Sequence, residues 1–135
     1  MDSWCKACKQ IVELERRAAN PESVAEVNRR RRLDLTIYKI RKRCAETGLP
    51  FDLDQHVPEL KARWAKQTCE LSGIPLQSGF GKQEINSPSI DRIYPWEGYV
   101  YSNVRIIAFG LNALFGAWGE ARAERLVRAW LDRRT

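Results

Sequence analysis

The chain has 135 residues, 44% hydrophobic and 10% aromatic, enough to bury one modest core. Lysine and arginine number 23 against 17 acidic residues, and the resulting net charge of +6 and pI near 9.4 suit a polyanionic partner, because the guanidinium fork matches phosphate oxygens. No run approaches the roughly 18 apolar residues that cross a bilayer, and the first residues lack the charged-then-apolar order of a signal peptide, so no membrane partner is expected and the cytoplasm is the expected compartment.

Near the start, Cys5 and Cys8 form a CxxC pair, whereas Cys44 and Cys69 stand apart. A structural zinc site normally takes four ligands as two such pairs. Cys5 and Cys8 are half of one, to be completed only if Cys44 and Cys69 converge or His56 joins. The expectation is reduced thiols without zinc.

A first helix is predicted over Lys9 to Ala19, where Ile11, Leu14 and Ala18 recur at helical spacing. The Asn20-Pro21 dipeptide ends it and opens the next, with Asn20 as N-cap, Pro21 at the first helical position and Glu22 in the first turn. That second helix runs to about Glu46, before Gly48 and Pro50. Its middle holds Arg29, Arg30, Arg31 and Arg32, then Lys39, Arg41, Lys42 and Arg43. Four consecutive arginines cover every side of a helix, and their mutual repulsion is relieved by a phosphate backbone. Val27, Leu35, Tyr38 and Ile37 remain as its apolar stripe. Lys82 and Arg105 are further candidate DNA contacts.

The stretch from Phe51 to Gln67 reads as a third helix, with Asp52 or Asp54 as cap, Pro58 in the first turn and Val57, Leu60, Ala62 and Trp64 for burial. His56, the single histidine, lies at its start. Between Gly73 and Gly110, glycine, proline and β-branched residues replace the charged pattern, which predicts turns and short strands. Ser89 to Tyr94 and Asn103 to Ala108 read as strands joined by a loop containing Pro95, Gly98 and Tyr101. Phe109 to Trp118 reads as a helix with Leu111, Leu114 and Phe115 on one face. A last amphipathic helix, Glu120 to Arg134, offers Leu126, Val127, Trp130 and Leu131 to the core. The fold class is therefore α+β and mostly helical: a basic helical arm over 1–50, then a strand–strand–helix unit with a C-terminal helix over 51–135.

Within that unit the order Pro88-Ser89-Ile90-Asp91-Arg92-Ile93, Gly98-Tyr99, Ser102-Asn103-Val104-Arg105 and Asn112 resembles phage-type HNH nucleases of the ββα-metal, or His-Me finger, family. Cys69-Glu70-Leu71-Ser72-Gly73-Ile74-Pro75-Leu76 resembles the segment that these proteins place ahead of the motif, and Phe51 to Trp64 their preceding helix. The resemblance implies a metal-dependent endonuclease that hydrolyses phosphodiester bonds in DNA. Asp91 and Asn112 would hold one Mg²⁺ or Mn²⁺, for which a carboxylate and an amide carbonyl are suitable oxygen donors. It also implies that Asn103 holds the hairpin loop, that cutting both strands suits a homodimer, and that a phage-encoded chain works in the host cytoplasm.

Two positions depart from the family pattern. Arg92 stands where the general-base histidine usually follows the aspartate, and Phe115 where a lysine is common. Arginine stays protonated at neutral pH, so it can clamp a phosphate but cannot take a proton. His56, Tyr94 and Tyr99 are the candidates for the base, with His56 placed first. The alternatives are a DNA-binding or regulatory module that has kept the fold without turnover, and an adaptor whose Trp96, Trp118 and Trp130 form an exposed patch.

Overall fold

A computed structural model describes the backbone of residues 5–19, 21–77 and 82–134, and the side chains of 5–15, 24–77 and 82–134. Five α-helices and one two-stranded antiparallel sheet lie among them: α1 (Lys6–Ala19), α2 (Pro21–Thr47), α3 (Val57–Ala65), β1 (Pro88–Arg92), β2 (Val104–Ala108), α4 (Phe109–Phe115) and α5 (Glu120–Arg134). The expected α+β, mostly helical class is what is found. No helix among the described residues is long and apolar enough to cross a membrane. The predicted Asn20 cap lies outside the described residues, as do the side chains of Ala18, Pro21 and Glu22.

The core is built where α2, α3 and the hairpin meet. Leu33, Ile37, Ile40 and Cys44 of α2 are buried with Leu60 and Trp64 of α3, Ile90 of β1 and Val104, Ile106 and Ile107 of β2. Their spacing along α2, steps of four, three and four, places them on one face. The expected stripe is thus corrected: Ile37 is buried, but Leu35 and Tyr38 fall on the solvent side. Through this face the second half of the basic arm belongs to the same core as the hairpin.

Other parts of the apolar pattern are also corrected. Ile11 and Leu14 of α1 are exposed, and so is Ala62. In α5 only Ala123 is buried, while Leu126, Trp130 and Leu131 are exposed. The chain turns between α4 and α5 through Gly116 and Gly119, both at positive φ. Neither expected cap accepts a helix N–H on its side chain: Asp52 Oδ1 instead accepts the Tyr101 N–H at 2.7 Å, and Asp54 is held by Arg41.

Three long-range straps shape the hairpin. Phe51 bridges Tyr99 in parallel, with the Tyr99 N–H on the Pro50 carbonyl at 2.9 Å. Gly98, at φ +77°, sits so close that a Cβ there would meet Pro50 O at 2.5 Å. The Glu70 N–H donates to Ile106 O, and its carboxylate accepts the Ile106 N–H at 2.8 Å, so Glu70 pairs with β2 on its outer edge. The Cys69 thiol accepts the Ala108 N–H at 3.4 Å.

Candidate active site

Asp91 lies one residue from the end of β1, directly across from Arg105 in the hairpin register. Asp91 is only 8% exposed, which demands a partner for its charge, and the Arg105 Nε donates to Oδ2 at 2.7 Å. The same guanidinium reaches Glu120 Oε2 at 3.0 Å, at the first residue of α5. Burial acts to lower the Arg105 pKa, but its bonds to Asp91 and Glu120 prevail and hold it above the usual arginine range. Among the described residues nothing donates to Asp91 Oδ1.

Asn112, in the middle of α4, faces β1. Its Nδ2 donates to the Ser89 hydroxyl at 3.2 Å and to the Ile90 carbonyl at 3.3 Å. This fixes which way the amide points, because the Ile90 carbonyl can only accept and the Ser89 hydroxyl already donates to Ile107 O at 2.9 Å. The Asn112 carbonyl oxygen is left without a hydrogen bond from the described residues. Asp91, Arg92, Arg105, Asn112 and Glu120 together line a small cavity of about 30 Å³.

A second, larger cleft of about 540 Å³ opens beside it, between α2 and the hairpin. Arg32, Lys39 and Arg43 line its α2 wall, and Ser89, Arg92 and Asn112 its floor. Arg92 and Asn112 therefore border both spaces. Arg92 is held by its Nη1 bond to Pro95 O at 2.9 Å and lies 5.0 Å over the Tyr99 ring, whose hydroxyl accepts from Arg43 at 3.4 Å. A charged guanidinium fixed at the junction of a basic cleft and a carboxylate pocket is suited to a bridging phosphodiester.

The structure brings Asp91, Arg92 and Asn112 together with Tyr99, one of the expected base candidates, and leaves the other two, His56 and Tyr94, outside both spaces. His56 lines neither space; its ring stacks on Tyr101 at 4.6 Å, with Nε2 3.8 Å from Asp52. Asn103 clamps the loop after β1, accepting the Tyr94 N–H at 3.0 Å and donating to the Tyr94 and Gly98 carbonyls. Of the expected DNA contacts, Arg32, Lys39 and Arg43 line the cleft. Arg30, Arg31, Lys42 and Lys82 are exposed and Arg29 is half-buried; none of the five lines it. Arg41 is engaged by Asp54 at 2.6 Å and Arg105 is turned inward. Glu120 was not expected at the site; an acidic residue after a helix-starting glycine reads only as a partner for the helix dipole.

Cys5 and Cys8 are exposed, with sulfurs 2.8 Å apart, while Cys44 and Cys69 are buried in the core and do not join them. No group of three or more potential metal-ligating His, Cys, Asp or Glu occurs among the described residues. Comparison with protein-family models, with curated proteins and with solved structures found no match.

Proposed function

We propose that this chain is a DNA endonuclease of HNH-like, ββα-metal type, hydrolysing phosphodiester bonds with one Mg²⁺ or Mn²⁺ held by Asp91 and Asn112. The observation that carries the reading is that Asp91 and Asn112, each with a side-chain oxygen that takes no hydrogen bond from the described residues, line one cavity that adjoins a cleft lined by four cationic side chains. The donors fit a hard cation, and about 30 Å³ exceeds the roughly 10–15 Å³ that one water-sized occupant requires. Bound there, the ion supplies charge stabilisation for the phosphorane-like transition state and the departing 3′ oxygen.

The remaining work falls to side chains. Arg92 clamps the scissile phosphate, oriented by Pro95 O and the Tyr99 ring. Arg32, Lys39 and Arg43 steer the flanking phosphates into the cleft. Because Arg92 cannot take a proton, the base is Glu120, the carboxylate of this cavity that the metal reading leaves over. A second reading, a DNA-binding module without turnover, is favoured by the Arg105–Asp91 ion pair, since a built-in cation already neutralises the aspartate.

Supercoiled plasmid incubated with the protein and Mg²⁺ or Mn²⁺ should be nicked, EDTA should stop the reaction, and Asp91→Ala should remove it. Nicking that survives the substitution rejects the assignment. Retardation of the plasmid without nicking in any divalent metal selects the second reading.

A further inference from the structure

The loop that leaves the site carries two aromatic side chains that the proposed chemistry does not use. Tyr94 and Trp96 follow Arg92 by two and four residues, and they are 50% and 72% exposed. Their rings lie 5.5 Å apart at 38° to one another. An exposed aromatic on a mobile loop carries little information, but this loop is held: Asn103 bonds the Tyr94 N–H, the Tyr94 carbonyl and the Gly98 carbonyl. The loop carbonyl at Pro95 in turn fixes Arg92. Rings and phosphate clamp are thus parts of one rigid piece.

Two other exposed tryptophans behave differently. Trp118 and Trp130 each have a guanidinium of the same chain over the ring, Arg122 at 5.9 Å and Arg134 at 5.3 Å. Among the described residues no cation covers Trp96. Trp96 does not line the basic cleft, but it adjoins Pro95, which holds the cleft's Arg92; proteins that bind unpaired nucleic acid pair such rings with cations, the cations following the phosphates while the rings stack on bases. A base inside an intact duplex has no free face to offer.

We propose that Tyr94 and Trp96 form a stacking platform for an unpaired nucleobase, so that the site takes DNA where a strand is locally unpaired, as negative supercoiling allows in a plasmid. The inference rests on the reading of the cleft as a DNA site and adds to it the form of the substrate. Successive Cα atoms lie about 3.8 Å apart, so Trp96, next to Pro95, is within one nucleotide's reach of a phosphate on Arg92. The same geometry has the scissile phosphate gripped by Arg92 while a neighbouring base leaves the strand's own stack for the indole.

The test compares two labelled ligands in EDTA at low salt, a thymidine oligonucleotide of about 20 nucleotides and a blunt duplex of similar length, by fluorescence anisotropy. Trp96→Ala should weaken single-strand binding roughly tenfold and duplex binding less than twofold, and Trp96→Phe should restore most of the loss, because any flat ring can stack. Equal losses on both ligands, or none on the single strand, overturn the platform. If Arg43→Ala still weakens binding while Trp96→Ala is silent, the platform alone falls. If the unsubstituted protein binds neither ligand, the DNA reading falls and takes the platform with it.

Discussion

Arg63–Glu70 and Arg105–Asp91 are both arginine–carboxylate pairs, one braced against the hairpin's β2 edge and one within the hairpin, and they differ in what they leave unused. Glu70 takes Arg63 Nε on one oxygen and both Arg63 Nη2 and the Ile106 N–H on the other, while Arg63 also reaches the Val104 carbonyl. Both carboxylate oxygens of that pair are bonded, and the pair ties α3 to β2 through the Val104 carbonyl and the Ile106 N–H. Asp91 takes a single donor on Oδ2, has no donor to Oδ1 among the described residues, and lines a cavity. A carboxylate with both oxygens bonded by its own chain is a strut; one with an oxygen to spare at an opening is available for a ligand. Both look alike in the sequence.

The contrast can be broken by substitution. Asp91→Asn keeps an acceptor for Arg105 and removes the charge, so it should lower nicking by about a hundredfold or more, read on plasmid, with the thermal midpoint nearly unchanged. Glu70→Ala should do the reverse, costing about 2 kcal/mol in urea unfolding and leaving the nicking rate per folded molecule intact. A folded Glu70→Ala protein that has lost nicking would erase the distinction.

Acid should report on the strut as well. Burial works against ionisation of Glu70, but the Arg63 bonds and the Ile106 N–H hold its pKa below the usual carboxylate value. A carboxylate with a depressed folded-state pKa contributes stability that is complete above its unfolded pKa and is lost as pH falls through the folded one. The urea midpoint should therefore drop from about pH 5 towards pH 3, and Arg63→Ala should flatten that slope. The smallest expected effect is at the other pair. Arg105→Gln removes a positive charge beside Asp91 and should tighten Mn²⁺ binding roughly fivefold by calorimetry. Weaker binding would mean that Arg105 orients Asp91 more than it competes for it.

Much of this geometry was legible in the chain, for reasons that can be named. Glycine, proline and β-branched residues between Gly73 and Gly110 mark the hairpin, and Gly119 marks the start of α5, which begins at Glu120 as expected. That Asp91 and Asn112 line one cavity was anticipated by their order along the motif that the sequence resembles. The buried face of α2 was not legible, because a run of arginines covering every side of a helix gives the apolar pattern no phase. Arg105 read as a phosphate contact because only the strand register, which sets it opposite Asp91, reveals its partner. His56 read as a base for lack of another histidine, whereas Glu120 is brought to the site by a glycine-bounded reversal that spacing does not show.

The straps across the hairpin set an order of assembly. Asp52 and Tyr101 are bonded across 49 residues, and the joints from Cys69 and Glu70 to β2 likewise span long stretches of chain. Contacts so remote form only after the intervening loops have been closed at an entropic cost, so they belong to the late side of the folding barrier. Asp52→Ala should accordingly speed unfolding and leave the refolding rate almost unchanged in stopped-flow chevrons; slowed refolding would place the strap in the nucleus instead. On the proposed reading, the hairpin that carries Asp91 is braced only in the completed fold, so a partly unfolded molecule would lack an ordered site.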